Sequence, residues 1–414
     1  MGSRILHISK KIIDPDAFTF IIELSFPATT TFSFPFGAGT YDCVVDYGDG
    51  SPTKTITAYD DADGTHTYAP GTYTVRFNGK IGSWIQGYGT SSHYLTKIIN
   101  WGNCGFETLN FQDSQNLISI PNGPITGATA LTNVDGLFSN CINLNMMPEN
   151  LLWLLPNITS AISSFANIGY TGIVPSDLFR YNVNLVSFNT TFAYSKISGI
   201  GDGLFYYNNL AVQFQQTFIG CLLFTSLPNY LFSTSAIVTE LNSTWYGCTG
   251  ITSIPETLIK NATSLTSVYQ CFRGIGITTI PVDLFRYNIN ISSFEIAFYG
   301  CNLLTSVPAG LFKYNIAALT TISFNGVFNQ CIKLQASANI FYEEADKATV
   351  FLNKNVNFYR TFYRTSFTGT QGTAPDLWAC SYGTGSVNGS QCYRGAGNSI
   401  TSLINYASIP FAWK

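Results

Sequence analysis

The chain has 414 residues, of which 10% are charged and 15% aromatic, and its formal net charge is −3. This charge provides no long-range field for a nucleic-acid backbone, and no apolar run approaches the roughly 18 residues of a membrane span. We therefore expect neither nucleic-acid binding nor membrane insertion. The length predicts two or three domains or one extended array.

The chain begins MGSRILHISKKIIDPD, which lacks the apolar stretch of a secretory signal peptide. We expect from this that no leader is present, with the alternative that the opening Met-Gly-Ser replaces one. The alternative matters because a leader is the usual route to a cell surface.

Residues 1–94 are predicted to form an N-terminal all-β sandwich of the Ig or PKD type. Apolar stretches such as FTFIIELSF and HTYAPGTYTVRF alternate with Gly and Pro turns, as the strands of a sandwich do. Asp60, Asp61 and Asp63 in this region offer the oxygen ligands that Ca²⁺ prefers, but Asp and Gly are also the residues of tight turns. We favour the turn and predict no metal site.

A repeat fills residues 131–378, after lead-in repeats at 95–130 and before a C-terminal cap at 379–414. Its core is P-x-x-L-F, then S-F-x-x-x-F-x-G-C, then L-T-S-I-P, and six consecutive spacings are 26 or 27 residues. The first Leu or Ile of the core recurs at Leu151, Leu178, Leu204, Leu231, Leu258, Leu284, Leu311, Ile340 and Leu377.

Each unit is predicted to contain a short strand at L-T-S-I-P and helical turns at P-x-x-L-F and S-F-x-x-x-F. One unit alone cannot bury its Leu and Phe side chains, so neighbouring units must stack. The predicted fold class is therefore a β-sandwich followed by a leucine-rich repeat solenoid with a short strand plus helical turns in each unit.

Five cysteines share one column of the repeat, namely Cys141, Cys221, Cys248, Cys301 and Cys331. Stacking would place their Cβ vectors in parallel, about 5 Å apart, whereas a disulfide needs them to converge. We predict a ladder of buried thiols. Cys380 and Cys392 lie in the C-terminal cap and form a candidate disulfide, with free thiols as the alternative.

The front segment carries a family resemblance. VVDYGDGS at residues 44–51, HTYAPGTYTVRFNG at 66–79 and LTKIINWGN at 95–103 resemble the PKD-like opening domain of BspA-like leucine-rich repeat surface proteins, and the LTSIP and FxGC repeats are similar to theirs. The resemblance covers nearly the whole chain. It implies adhesion or ligand recognition outside a bacterial cell, or on a bacteriophage, and it implies no catalytic residues.

We find no constellation that carries enzyme chemistry. The three histidines, His7, His66 and His93, have neither metal-site spacing nor a neighbouring nucleophile motif, and no phosphate-binding or dinucleotide fingerprint is present. We predict a non-enzymatic protein without a cofactor.

The candidate ligand-binding surface is a polar and aromatic stripe that follows the L-F pair of several units. Tyr, Arg and Asn there suit sugar and protein recognition, and the alternative is that Asn closes a turn while Tyr and Arg cover their neighbours. The stripe comprises Arg180, Tyr181, Asn182, Tyr206, Tyr207, Asn208, Arg286, Tyr287, Asn288, Lys313, Tyr314 and Asn315.

Together these features predict a virion-exposed phage structural protein, such as a head fibre, a tail fibre or a decoration protein, that binds a host-surface glycan or protein. Its N-terminal region would contact other virion proteins, and a homo-oligomer is compatible with the sequence. A bacterial cell-surface adhesin of the BspA-like type is the alternative, and a carbohydrate-active enzyme is a third possibility. Both leading alternatives place the chain outside the cell.

Overall fold

The computed structural model describes residues 14–25, 28–87, 90–229, 231–232, 236–335, 337–365, 372–395 and 403–414. Its strands are β1 (Phe18–Leu24), β2 (Thr30–Ser33), β3 (Asp42–Asp46), β4 (Lys54–Ile56), β5 (Thr65–Tyr68), β6 (Gly71–Lys80), β7 (Ser83–Gln86), β8 (Leu95–Asn100), β9 (Thr108–Phe111), β10 (Ile173–Val174), β11 (Gly199–Ile200), β12 (Thr321–Ser323), β13 (Asn355–Asn357) and β14 (Val387–Asn388). The described α-helix is α1 (Lys313–Ala318). Short 3-10 turns occupy Ala62–Gly64, Thr90–His93, Ala338–Ile340, Glu344–Asp346, Leu377–Ala379, Tyr406–Ser408 and Phe411–Trp413.

A five-stranded antiparallel sheet in the order β4-β3-β6-β1-β8 forms the front of the molecule. Alternation along β1 buries Phe18, Phe20 and Ile22 on one face, because successive side chains of a strand point to opposite sides. The β2–β5 pair covers this face through aromatic contacts. Trp84 of β7 lies at the centre, with its ring 5.1 Å from that of Phe18 and 5.2 Å from that of Phe20.

The front sheet passes directly into a stacked array. β7 pairs in parallel with β9, and β8 forms a parallel bridge from Lys97 to Ser119. Parallel bridges then link one unit to the next at Asn133, Ser160, Ser187, Gln213, Glu240, Ser267, Ser293 and Ser323, and β12, β13 and β14 continue this row as a three-stranded parallel sheet. The predicted domain boundary at residue 94 stays a prediction.

Eleven aromatic rings stack in a single row through the array. The distances between neighbouring ring centroids are 5.4 to 6.4 Å, close to the range in which aromatic pairs attract. The row comprises Phe111, Phe138, Phe165, Phe192, Phe218, Trp245, Phe272, Phe298, Phe328, Phe362 and Tyr393. It begins in β9 and ends in the C-terminal cap, so one continuous core runs through both.

The predicted fold class is wrong. Among the described residues, helix is confined to the six residues of α1 and to 3-10 turns of three or four residues, so the units do not carry the helical turns expected of a leucine-rich solenoid. The P-x-x-L-F segments are turns instead: Leu178 N–H donates to the Pro175 carbonyl at 3.2 Å and Arg180 N–H to the Asp177 carbonyl at 3.0 Å. The sheets beyond the front of the molecule contain two or three short strands each.

Two features of the backbone prevent a helix in the S-F-x-x-x-F segments. Gln216 and Gly220 have φ of +56° and +69°, and this left-handed pair recurs four residues apart in most units, which interrupts a right-handed helix. The amide groups are also committed elsewhere, because Phe218 N–H donates to the Thr244 carbonyl of the next unit at 3.0 Å. No helix of the described residues is long and apolar enough to cross a membrane.

Candidate recognition surface

Two consecutive turns position the side chains of the predicted stripe. In the unit that begins at Pro175, Leu178 and Phe179 point into the core, and the next turn is closed by Asn182 N–H on the Phe179 carbonyl at 3.1 Å. Arg180 and Tyr181 therefore project outward, and Asn182 turns back inward. The same local sequence gives the same arrangement at Arg286, Tyr287 and Asn288.

The four asparagines of the predicted stripe are fully buried, so they must be removed from the candidate surface. Each donates its Nδ2 group to carbonyls of the preceding unit. Asn288, for example, donates to the Ile259 carbonyl at 2.9 Å and to the Ala262 carbonyl at 2.7 Å. The residues concerned are Asn182, Asn208, Asn288 and Asn315, and their amides join successive units.

The remaining stripe residues lie on the surface in two segments. In the first, the guanidinium of Arg180 lies 5.7 Å from the ring of Tyr181 and 5.2 Å from the ring of Tyr207 in the next unit. Arg180 also pairs with Asp177 at 2.9 Å, and this hydrogen bond, followed by Tyr207, raises the pKa of the guanidinium above its ordinary value. Tyr181 is 48% exposed and Tyr206 is 49% exposed, so about half of each residue is accessible to a ligand.

The second segment repeats this geometry in the unit that begins at Pro281 and in the unit after it. Arg286 lies 5.8 Å from the ring of Tyr287 and 5.5 Å from that of Tyr314, and Lys313 lies 5.0 Å from the ring of Tyr314. Tyr287 is 45% exposed. We call the eight surface residues of both segments the stripe: Arg180, Tyr181, Tyr206, Tyr207, Arg286, Tyr287, Lys313 and Tyr314. Two units lie between the segments, and residues 233–235 of the first of them lie outside the described part of the chain.

Two further residues belong beside the stripe and were missed from the sequence. Lys260 lies 5.0 Å from the ring of Tyr287, and the ring of Trp153 lies 5.1 Å from that of Tyr181. Both occupy the column of Arg180 when the units are aligned on their Leu residues. The L-F pair that defined the predicted stripe is replaced by Leu-Leu before Trp153 and by Leu-Ile before Lys260, so the prediction omitted both residues.

The structure does not assemble the candidate calcium ligands. Asp61 caps the Ala62–Gly64 turn by accepting the amide of Asp63 at 3.1 Å, and its other oxygen accepts the amide of Thr57 at 3.1 Å. Asp63 pairs with Lys54 at 3.5 Å. No group of three potential metal ligands occurs among the described residues, and Asp60 joins no such group.

The candidate disulfide between Cys380 and Cys392 is not formed, because all ten cysteines are free and buried. Burial raises the pKa of each of these two thiols to about 12. In the array, the Cys248 and Cys331 thiols donate to the Phe218 and Phe298 carbonyls at 2.9 and 3.0 Å, one unit back. Cys141, Cys221 and Cys301 make the corresponding bond, so this column joins units.

The row of parallel bridges presents a second, polar surface. Glu240 accepts hydrogen bonds from Gln215 at 3.0 Å and Asn242 at 2.8 Å, and Ser267 donates to Asn242 at 2.8 Å. A cleft of about 460 Å³ opens where this row meets the three-stranded parallel sheet, lined by residues that include Glu295, Ser323, Asn355, Asn357, Ser386 and Asn388.

A second cleft, of about 470 Å³, lies at the C-terminal end of the stripe between α1 and the 3-10 turn Glu344–Asp346. Lys313 lines it together with Glu343 and Asp346. It opens where the repeat spacing lengthens from 27 to 29 and 37 residues. The longer spacing thus coincides with a concave surface next to the stripe.

The fold and these surfaces define a stacked-repeat protein with a continuous aromatic core. No family model and no curated protein matches the chain. Two solved structures of the Toll–Spatzle complex, described as a molecular hub in Drosophila development and innate immunity, are similar to part of it. The first has 15% identity and a TM-score of 0.32, and the match covers 65% of this chain and 40% of that chain. The glycosylated form has 13% identity and a TM-score of 0.30, with 69% and 52% covered. Similarity at this level supports no statement about fold or function.

Proposed function

We propose that this protein is a non-enzymatic recognition protein that binds a host-surface glycan through the stripe. The observation that carries the proposal is the row of exposed or half-buried Tyr rings that lie 5.0 to 5.8 Å from Arg and Lys side chains, repeated in two segments. Tyr provides rigid contact area with a hydroxyl group, and the edges of each guanidinium remain available for hydrogen bonds.

Pre-organisation supports this choice of surface. The buried asparagine amides fix the turn behind each pair of stripe residues, and Asp177 and Asp283 hold Arg180 and Arg286 at 2.9 and 3.0 Å. A ligand that binds such side chains loses less conformational entropy than one that must order them first. A protein ligand on the host surface is the alternative for the same stripe.

For location, we propose the surface of a bacteriophage particle, with the front sheet nearest to the other virion proteins. A bacterial cell-surface adhesin remains the alternative, because the same stripe would serve there. The neighbouring genes distinguish the two: capsid and tail genes beside this one support the virion, and a leader sequence encoded upstream supports the adhesin.

The stripe is tested by changing Tyr287→Ala and Tyr314→Ala together and measuring binding to a glycan array and to whole bacteria. We expect binding to fall about tenfold or more, since central aromatic residues at interfaces contribute about 2 kcal/mol or more each. Tyr59→Ala is the matched control, because Tyr59 is an exposed tyrosine of the front segment.

Thermal unfolding of the double variant should match that of the wild type within the usual effect of surface substitutions. Unchanged binding by a correctly folded double variant contradicts the proposed role of the stripe. An equal loss in the Tyr59→Ala control contradicts it as well, because the loss would then not be specific to the stripe.

A further inference from the structure

The small net charge of the chain conceals a strong separation of charge along it. Residues 347–414 contain six Lys or Arg residues and a single Asp or Glu, Asp376, so their formal charge is +5 and that of residues 1–346 is −8. The carboxylate of Asp376 is not available to neutralise the other cations, because it accepts hydrogen bonds from Lys347 and Tyr342. The C-terminal end of the array therefore holds cations without internal counter-charges.

Three of these cations form one cluster in the last turns of the array. The guanidinium groups of Arg360 and Arg364 lie 5.2 and 5.4 Å from the same ring, that of Tyr363. Arg364 N–H donates to the Arg394 carbonyl at 2.9 Å, so Arg394 lies directly beside them in the next unit. We call Arg360, Arg364 and Arg394 the arginine cluster.

None of the three arginines forms an ion pair with a carboxylate of the described residues, in contrast to Arg180 and Arg286 of the stripe. The Nε atom of Arg364 is buried and has no hydrogen-bond partner there. A buried donor without a partner costs free energy, and an anionic ligand would supply the missing acceptor.

The backbone at two of these arginines is left-handed. Arg360 and Arg364 have φ of +54° and +59°, whereas in the central units the position of Arg364 is held by glycine, at Gly220, Gly247, Gly274 and Gly300. Left-handed backbone is unfavourable for a side chain with a Cβ atom. Asn140, Asn167, Tyr194 and Gln330 hold the same position in other units with φ of +54° to +60°, so the stack accepts a residue with a side chain there.

The polar cleft of about 460 Å³ is formed in part by the same two units, because Asn357 lies three residues before Arg360 and Asn388 lies six residues before Arg394. Asn357 lines that cleft, and its side-chain oxygen accepts the amide of Tyr359 at 3.1 Å, next to Arg360. The cleft is lined by Ser and Asn side chains and by Glu295, whose carboxylate accepts a hydrogen bond from Ser323 at 2.7 Å, so it suits the hydroxyl groups of a ligand, and the arginines suit its acid groups. A nucleic acid would instead require cations distributed along its backbone.

We infer that the arginine cluster and the adjoining cleft bind an acidic polysaccharide, whose carboxylate groups contact the three arginines and whose hydroxyl groups enter the cleft. This inference rests on the proposed function, since it names the class of glycan. It adds a second contact region at the C-terminal end of the array, separate from the stripe.

The test measures binding of the full chain to sodium polygalacturonate, a polymer of uronic acid, with neutral dextran as the reference. We expect Arg360→Gln with Arg364→Gln to weaken binding about tenfold or more, because charge-assisted hydrogen bonds are lost. Added salt should weaken wild-type binding, because exposed charges are screened. Gln is tolerated at both positions, since Gln330 and Gln391 occupy the same columns with φ of +60° and +56°.

The matched control is Lys54→Gln, which removes one positive charge from the front sheet and should leave polygalacturonate binding unchanged. Should the double variant fail to fold, Arg394→Gln provides the same test from an exposed position. Polygalacturonate binding that is absent in the wild type, unchanged in the variants, or equally reduced in the control overturns the inference. So does duplex DNA that binds as tightly and shows the same loss.

The stripe variant separates this inference from the proposed function. If Tyr287→Ala with Tyr314→Ala abolishes binding to host cells while the arginine variants bind polygalacturonate normally, the proposed function stands and the inference fails. If neither set of variants affects binding to host cells or to any glycan, both fail.

Discussion

Within one short motif the asparagine side chain is buried and the arginine side chain reaches the surface. This difference determines whether each residue contributes to stability or to a candidate binding surface. Asn182 is buried and donates to the Leu152 and Leu155 carbonyls at 2.9 and 2.8 Å, whereas Arg180 reaches the surface beside Tyr207. The sequence presents the two residues as one polar group. Only the turn between them shows that one is structural and the other is available to a ligand.

The buried amides should contribute measurably to stability. We expect Asn288→Ala to lower the free energy of unfolding by about 1–3 kcal/mol, because the Ile259 and Ala262 carbonyls lose their donor inside the array. Urea unfolding provides the measurement. Asn290→Ala is the control, since Asn290 is exposed and water can replace its bond to the Thr263 carbonyl. Equal losses in both variants contradict a structural role specific to the buried column.

Asp49, in the turn between β3 and β4, should make the free energy of unfolding depend on pH. Burial raises the pKa of its carboxyl, but hydrogen bonds from Ser51 and His66 outweigh this effect and lower the pKa to about 2. The folded pKa therefore lies below the unfolded value, so the stabilisation is present above about pH 4 and is lost as the pH falls towards 2.

We expect Asp49→Asn to reduce the free energy of unfolding at pH 7 by about 1 kcal/mol, after allowance for solvent screening. Near pH 2 the variant and the wild type should differ much less. Urea unfolding at both pH values gives the comparison. A difference of the same size at both pH values contradicts the assigned role of the carboxylate.

At the scale of the element, the repeat spacing predicted which residues share a column, but it did not predict the backbone conformation of each unit. The columns of Leu, Phe and Cys follow from six spacings of 26 or 27 residues, and the structure buries all of them. The helical turns were wrong because an i and i+4 aromatic pair is compatible with a helix and also with two successive turns. What excludes the helix is the left-handed residue between the aromatics, and non-glycine residues such as Gln216 give no sequence signal for it.

Ile296 shows how strongly the stack imposes this backbone. Its φ is +47°, a conformation that β-branched residues rarely adopt. Packing of the adjoining Ala297 and Phe298 into the core maintains it. The structure of one unit is thus decided by its neighbours more than by its own sequence.

The ring row should be the main source of cohesion between units. Phe298 is buried between Phe272 and Phe328, at 5.4 and 5.9 Å, and Phe298→Ala should cost about 3–5 kcal/mol by leaving a cavity. Tyr299→Ala is the control, because the neighbouring Tyr299 is half-buried and contacts Arg273 at 4.5 Å. Calorimetric unfolding of both variants tests this, and a loss below about 1 kcal/mol for Phe298→Ala would place the ring outside the core.

At the scale of the whole molecule, the sequence indicated the repetition better than it indicated which polar side chains reach the surface. The predicted stripe was defined by the positions after the L-F pair, so it included four buried asparagines and omitted Trp153 and Lys260. The arginine cluster was missed because a net charge of −3 averages over two regions of opposite sign. Arg360, Arg364 and Arg394 come together only through stacking, since 30 residues separate the last two.

The central claim is that exposed side chains on stacked turns, and the stripe in particular, bind the ligand. The most direct measurement is a crystal structure of the protein bound to the tightest glycan from the array. Our account predicts sugar rings in contact with Tyr181 and Tyr207 or with Tyr287 and Tyr314, and hydrogen bonds to the edges of Arg180 or Arg286. A glycan bound only to the β2–β5 face of the front sheet, with the stripe empty, would contradict it.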